Sequence, residues 1–175
     1  MRYIMRSGIL YQEANCVLAK LRGVFAGSEK RVYRHDGSMV LKTVIREIDK
    51  PNVKRADVRS RVYVMLDAED KEIAVARPDY AEGDDPAVVG WPICRMPRVD
   101  HAAVTIHGKQ YLLTMQNSQN YTLKDAAGYS VVQIMHRGLA GGWNIDADEI
   151  FAPEILCGLF AFCRYIEQEN ELLIV

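Results

Sequence analysis

The stretch Ile155-Leu156-Cys157-Gly158-Leu159-Phe160-Ala161-Phe162-Cys163 decides the fold. It follows Ala152-Pro153-Glu154, where an early proline and a first-turn glutamate are typical of a helix start. The run is apolar on every face, and such a helix is buried rather than amphipathic. Arg164 ends the uncharged run far short of the roughly 20 residues that span a membrane. The sequence therefore predicts a helix enclosed by the rest of the protein and no transmembrane segment.

Upstream of this helix, the chain consists of short β-like segments separated by turn signals. An aspartate or Asp-Gly turn between apolar runs is a strong hairpin signal. Four such hairpins predict an antiparallel all-β architecture, and a barrel wrapped around the helix is the simplest way to enclose it. The hairpins pair residues 31–34 with 39–48, 58–66 with 72–77, 102–106 with 110–115, and 121–124 with 129–136.

Two hairpins share a spelling, since Tyr63-Val64-Met65-Leu66-Asp67 aligns with Tyr121-Thr122-Leu123-Lys124-Asp125. Tyr33…Asp36-Gly37 is a relative that is one residue shorter. In each case a tyrosine opens the strand and an aspartate, whose side chain can accept a bond from the backbone two residues on, starts the turn. Two explanations of the shared motif remain open. It is an internal repeat, or independent hairpins of a β-meander have converged on the same turn residues.

These hairpins, the opening Met1-Arg2-Tyr3-Ile4-Met5-Arg6 and the apolar helix after Trp143-Asn144-Ile145 resemble small bacterial proteins of the LURP-one-related group. That group belongs to the Tubby C-terminal-like superfamily, together with phospholipid scramblases. The resemblance implies one domain over residues 1–175, a closed antiparallel barrel of about twelve strands around a central hydrophobic helix. Tubby domains bind phosphoinositides through basic residues, and scramblases carry a calcium-associated acidic segment before the helix.

Composition bounds the function without naming it. The chain has 175 residues, a formal net charge of −1 and 49% hydrophobic residues, which excludes a disordered chain and fits one domain. The near-neutral balance argues against a nucleic-acid partner, which usually meets a strongly basic face. Residues 79–100, rich in acids and prolines, are predicted to form a long surface excursion within this domain.

Cysteine usage and the start of the chain suggest a reducing compartment. Cys16, Cys94, Cys157 and Cys163 form no close pair typical of zinc, so we expect reduced packing residues. Met1–Arg6 has no apolar signal-peptide region, and we expect a cytoplasmic protein that holds neither a metal nor a cofactor.

A basic stretch between residues 46 and 61 is the main candidate for binding. Its cations outnumber its acids by three, and at a barrel rim they are suited to a phospholipid head group. A solvated connection between two strands has the same composition, so both interpretations stay open. The candidate anion- or lipid-binding residues are Lys50, Lys54, Arg55, Arg59 and Arg61.

No constellation points to catalysis. Asp100 and His101 are adjacent, and neighbouring residues of a strand face opposite sides. The G-x-S-x-G nucleophile turn is absent. Gly138, Gly141 and Gly142 are predicted to form a turn at a barrel corner rather than a phosphate cradle. Residues 146–149 carry three acids, which rarely suffice for calcium and which the dipole of the following helix explains.

We therefore expect a non-enzymatic binding or scaffold protein. The first alternative is a lipid- or phosphoinositide-binding module that tethers the protein to membranes, and the second is an enzyme with a dispersed site near His101 and His136. The polar tail Glu167–Glu171 and the apolar Leu172–Val175 fit either a late strand or a contact with another chain. The sequence leaves the partner and the oligomeric state open.

Overall fold

A computed structural model describes residues 1–12, 16–23, 27–49, 51, 57–86 and 97–171 of the protein. They form twelve strands and one C-terminal helix, with single turns of 3-10 helix at Val58–Ser60 and Gly138–Ala140. The elements are β1 (Arg2–Arg6), β2 (Ile9–Gln12), β3 (Cys16–Arg22), β4 (Glu29–Arg34), β5 (Met39–Glu47), β6 (Arg61–Asp67), β7 (Glu72–Tyr80), β8 (Val99–Ile106), β9 (Lys109–Asn117), β10 (Asn120–Asp125), β11 (Ser130–His136), β12 (Trp143–Ala147) and α1 (Pro153–Glu171).

The strands form a closed up-and-down barrel. Each strand pairs antiparallel with its neighbours in sequence, and β1 pairs with β12 to complete the circle. In that last pairing Arg2 lies opposite Asp146 and Met5 lies opposite Trp143. Closure leaves no unpaired sheet edge. The predicted mostly-β fold with a closed antiparallel barrel is confirmed.

The helix lies inside the barrel and its contacts reach opposite walls. Every residue from Leu156 to Cys163 is buried. The Phe160 ring packs edge-on against Trp143 of β12 at a centroid distance of 4.9 Å, and Phe162 packs against Tyr63 of β6 at 6.1 Å. Strands β6 and β12 lie half a circuit apart. The predicted enclosed helix is therefore confirmed.

One glycine lets the helix approach the wall closely. A Cβ atom built on Gly158 would overlap Cε of Met65 and would lie 3.4 Å from Cδ2 of Leu41. The Met65 side chain therefore fills the space that any larger residue at 158 would need. The approach depends on the missing side chain, since interiors are packed to crystal-like density.

The two ends of the barrel differ, and we name them by their connections. At the turn end, β4–β5, β6–β7, β8–β9 and β10–β11 are joined by tight turns, and α1 begins there. At the loop end, β3–β4, β5–β6 and β7–β8 are joined by longer connections that are described in part, and α1 ends there. The glycine-rich turn at residues 137–142 also lies at the loop end, as predicted for a barrel corner.

The two hairpins with a shared spelling have the same local geometry. Tyr63 and Tyr121 are both buried against the helix. Asp67 Oδ1 accepts the amides two and four residues on, at 2.9 and 2.9 Å. Asp125 Oδ1 does the same at 3.0 and 2.9 Å. In both hairpins the strand register shifts after the third residue of the motif, so the likeness extends beyond the turn.

Three strand boundaries differ from the sequence prediction. Residues 58–60 form a 3-10 turn instead of the start of β6, because the Asp57 side chain accepts the Arg59 amide at 2.8 Å. The excursion predicted over 79–100 is shorter, since β7 continues to Tyr80 and β8 starts at Val99. Of the remaining part, residues 87–96 lie outside the described residues, whereas Ala81 and Asp84 are buried.

The polar tail and one cysteine also differ from expectation. Residues 167–171 continue α1 and do not form a late strand, while residues 172–175 lie outside the described part of the chain. Cys157 and Cys163 are buried free thiols, as predicted, and burial raises the pKa of both. Cys16 is exposed, so it is not a packing residue, and Cys94 lies outside the described residues.

Candidate functional site

Of the five predicted anion-binding residues, two are described, and both lie at the loop end. Lys50, Lys54 and Arg55 lie outside the described residues. Arg59 sits in the 3-10 turn before β6, and Arg61 is the first residue of that strand. The structure therefore brings these two cations to the same barrel rim and shows what surrounds them.

Arg59 is held by two carboxylates. Its guanidinium donates to Asp57 at 2.7 Å and to Asp85 at 2.8 Å, and it lies over the Tyr80 ring at 5.3 Å. The hydrogen bond to Asp57 raises the pKa of Arg59, and Asp85 adds to the shift. The positive charge of Arg59 is therefore balanced by carboxylates of the protein itself. The Arg59 guanidinium connects the turn before β6 to the segment after β7.

Arg61 is paired with the helix rather than with solvent. Its guanidinium donates to the Glu169 carboxylate in the last turns of α1, and both side chains are largely shielded from water. Breaking such a pair by removing one partner leaves an uncompensated charge. This ion pair therefore anchors the helix to β6, and within the described chain neither Arg59 nor Arg61 is an unpaired cation.

A buried polar cluster surrounds the second half of α1. The Tyr121 hydroxyl donates to the Glu167 carboxylate at 3.0 Å, and Glu167 also accepts from Arg164. The Val99 amide donates to Oδ1 of Asn170, and Nδ2 of Asn170 donates to the Val99 carbonyl, both at 2.9 Å. The Asn170 side chain therefore pairs with both backbone groups of Val99. These bonds satisfy most of the polar groups in the cluster, and an unsatisfied buried polar group is costly.

Lys30 is the least expected member of this cluster. It is fully buried, and its ammonium donates to the carbonyl oxygens of Gly23 at 3.1 Å and Gly27 at 3.2 Å. It also lies 4.5 Å from the centroid of the Tyr165 ring. Burial, and then repulsion from Arg164, lower the pKa of Lys30 to about 8. The lysine fastens the connection between β3 and β4 to the helix.

Tyr165 completes the same attachment. Its hydroxyl donates to the Ser28 carbonyl at 3.1 Å and lies 2.9 Å from Oγ1 of Thr43. Two buried polar atoms of the cluster, Tyr63 Oη and Arg164 Nε, have no hydrogen-bond partner in the described structure. Sequence reasoning missed this cluster, although Lys30 alternates with the buried Val32 and Arg164 precedes Glu167 by three residues, a helical spacing.

The histidines suggested for a dispersed site are not brought together. His101 alternates with the inward-facing Ala102, so its side chain lies on the outer surface. His136 instead packs edge-on against Trp143, whose ring contacts the helix. The expectation that Asp100 and His101 face opposite sides is wrong, because their side chains bond at 2.7 Å. The β7–β8 register shift beside Asp100 breaks the strand alternation there.

The acidic segment before the helix lies at the turn end. Asp146 pairs with Arg2 at 2.8 Å, and among the described residues no group of three or more candidate ligands is placed to hold a metal ion. The Asp148 amide bonds the Val131 carbonyl at 3.0 Å, which extends the pairing of β11 with β12. Asp148 and Val131 also line two surface grooves of about 570 and 560 Å³, which sequence reasoning did not find.

No family model matches the chain, and neither a curated protein nor a solved structure is significantly similar to it. Within the described residues, α1 does not have the length and apolarity that crossing a membrane requires, and it is the longest helix there.

Proposed function

We propose that the protein is a non-enzymatic binding or scaffold protein of the Tubby C-terminal-like type. The observation that carries this proposal is the position of α1, which fills the interior of the barrel with Phe160, Phe162 and their neighbours. Barrels that hold small molecules do so in their lumen or mouth. Here α1 occupies the lumen, so the surfaces available for binding a partner are the outside of the barrel and its two ends.

The architecture supports the superfamily assignment at the level of the fold. A closed barrel of twelve antiparallel strands with a buried C-terminal helix is consistent with a Tubby-like barrel. A shared fold is a weak warrant for a shared function, so the proposal for binding rests on the filled lumen instead.

An assay for catalysis tests the proposal against the enzyme alternative. Wild-type protein, His101→Gln and the exposed-turn control His107→Asn are incubated with activated esters, phosphate esters and peptide substrates. We expect the three proteins to give the same background rate. Turnover that His101→Gln abolishes and His107→Asn retains would overturn the proposal, since it would identify the Asp100–His101 pair as part of an active site.

Membrane tethering through anionic head groups is the second candidate. It is favoured by the rim position of Arg59 and Arg61, but both guanidiniums are already paired with carboxylates. The other three predicted candidates, Lys50, Lys54 and Arg55, lie outside the described residues.

Vesicle sedimentation separates this candidate from a protein-binding function. Phosphatidylcholine vesicles with and without a phosphoinositide are mixed with wild-type protein and with Lys50→Glu/Lys54→Glu/Arg55→Glu. The matched control, Lys71→Glu/Lys109→Glu/Lys124→Glu, changes the same charge at the turn end. Tethering predicts phosphoinositide-dependent pelleting that weakens with salt and is lost in the first variant alone. Absence of pelleting removes this candidate.

A further inference from the structure

The turn end carries two grooves that share one ridge. The first is lined by Met1, Arg2 and Asp146 among others, and the second by Lys109, Tyr111 and Ile150. Val131 and Asp148 line both, so they form the ridge between them. Each groove, at about 560–570 Å³, lies within the range of roughly 300–1,000 Å³ that is typical of ligand sites.

Large apolar side chains stand exposed around this ridge. Ile150 is 68% exposed at the edge of the second groove, and Met1 is 55% exposed in the first. Tyr129, 73% exposed, directly precedes Ser130 of the first groove. Single exposed apolar residues are ordinary, but several gathered beside concavities mark an interaction surface.

The ridge is rigidly held, which lowers the cost of ordering it on binding. Besides the bond from the Asp148 amide to Val131, the Phe151 amide bonds the Asp148 carbonyl at 3.2 Å. The Phe151 ring packs edge-on against Tyr111 at 5.8 Å, so the floor of the second groove is tied to the core. The surface is therefore formed before any partner arrives.

The charge of the turn end selects the partner. Among the described residues, the turn-end segments carry ten carboxylates against six lysines and arginines. Asp148 lies in both grooves, and neither it nor Glu149 forms an ion pair within the described structure. The carboxylates are Asp36, Asp67, Glu69, Asp70, Glu72, Asp125, Asp146, Asp148, Glu149 and Glu154, and the cations are Arg2, Arg34, Lys42, Lys71, Lys109 and Lys124.

The distribution of these charges suits an extended chain better than a single ion. Within the described residues the carboxylates are not grouped as a metal site. An anionic membrane surface would be repelled by them. A segment with several lysines or arginines spaced along an extended backbone can face carboxylates over the whole rim, while an apolar side chain enters the groove beside Ile150.

We propose that the turn end docks a basic, extended segment of a partner protein, anchored by an apolar side chain in the groove between Tyr111 and Ile150. This inference rests on the binding function proposed above and names the class of its partner. Its electrostatic part sets the rate and specificity of association, and its apolar anchor contributes most of the affinity.

Fluorescence anisotropy with three synthetic decapeptides tests the proposal on the full-length protein. The first probe carries four lysines around a central Leu-Leu pair, the second replaces the leucines with serines, and the third replaces the lysines with glutamates. We expect the first probe to bind, with an affinity that falls as salt rises, and the other two to bind at least tenfold more weakly. Failure of the first probe to bind overturns the inference.

Matched variants locate the site. Asp148→Lys/Glu149→Lys is expected to weaken the first probe at least tenfold, whereas the loop-end pair Asp49→Lys/Glu82→Lys changes the same net charge and leaves binding within about twofold. Ile150→Ser is expected to weaken binding, with the exposed loop-end Leu139→Ser as its control. Equal losses in the two charge variants would show attraction to net charge alone and overturn the inference.

Amide chemical-shift mapping gives an independent readout. Addition of the first probe is expected to move the resonances of residues 109–111, 125–131 and 146–150, and shifts confined to the loop end would overturn the inference. Failure of the inference is distinguishable from failure of the proposed function, because the latter appears as His101-dependent turnover and involves no peptide.

Discussion

The tight turns at one end of the barrel and the helix-centred cluster at the other satisfy their polar groups in different ways. At the turn end, Asp67 and Asp125 accept amides from residues two to four positions further along the same hairpin. At the loop end, buried side chains of α1 bond residues far from them in sequence, as Glu169 does with Arg61 and Tyr165 with Thr43.

The turn-end aspartates therefore stabilise local structure, whereas the loop-end cluster depends on the fold as a whole. The turns at Asp67 and Asp125 contain the acceptors that their amides need, so we expect a change at either aspartate to be felt within its own hairpin. The loop-end cluster exists only when α1 lies inside the closed barrel, because Arg164, Glu167 and Glu169 belong to the helix. A change at the loop end should therefore destabilise the whole fold.

The largest effect is expected from a substitution in the middle of α1, the helix that connects both ends of the barrel. Phe160→Asp places a carboxylate on a residue that is 2% exposed, against the Trp143 ring. Loss of the aromatic ring costs about 3–5 kcal/mol, and the unpaired charge adds to it, against a total stability of about 5–15 kcal/mol. We expect no folded protein by circular dichroism. Leu139→Asp, at an exposed position, should fold normally, and a native-like melting temperature for Phe160→Asp would contradict the enclosed helix.

A loop-end substitution should come next in size. Glu167→Ala removes the carboxylate that accepts from Tyr121 and Arg164, and leaves a largely buried guanidinium without its ion-pair partner. We expect a loss of about 2–4 kcal/mol in urea unfolding. The double variant Arg164→Leu/Glu167→Leu should recover part of it, because it removes both charges. A single variant as stable as the wild type would show that the cluster contributes little.

A turn-end substitution should cost less. Asp125→Ala removes the acceptor for the amides of Ala127 and Tyr129, and we expect a loss of about 1–2 kcal/mol in the same assay. Asp125→Asn keeps an oxygen acceptor and should lose less. Hydrogen exchange should accelerate in the β10–β11 hairpin and remain unchanged at the loop end. Acceleration throughout the barrel would erase the distinction between the two ends.

The smallest effect is a pH dependence that originates at Lys30. Its pKa is lowered by burial to about 8, so protonation disfavours the folded state relative to the unfolded one. The lysine's contribution therefore rises as pH increases through 8 and levels off near the unfolded value of about 10.4. Between pH 7 and 9 we expect the wild type to gain about 1 kcal/mol relative to Lys30→Met. Parallel stability profiles for the two proteins would contradict a depressed pKa at this lysine.

The sequence predicts the turn end well because its signals are local. Asp36-Gly37, Asp67 and Asp125 each mark a turn through their own side chains or φ preferences, and the hairpins follow. The apolar run around Phe160 likewise predicts its own burial without knowledge of any partner. The buried helix and the turn end of the barrel could therefore be predicted from the sequence.

The loop end and the grooves could not be predicted in this way, because they depend on which residues, distant in sequence, come into contact. The contact of Asp100 with His101 follows from the register shift between β7 and β8, which no single segment specifies. The sequence leaves residues 167–171 open between a late strand and a contact with another chain, because their partners Arg61, Tyr121 and Val99 lie far away in the chain. The basic stretch suggests a free cationic patch until Arg59 is seen with Asp57 and Asp85.

Closure through β1 and β12 has a consequence for the order of folding. Residues at opposite ends of the sequence, such as Arg2 and Asp146, must meet before the last seam forms, and loop closure over such a separation is slow. Because α1 follows all twelve strands in sequence, we expect the inner faces of strands that form early to stay exposed until the helix is available. Apolar surface exposed in this way favours aggregation.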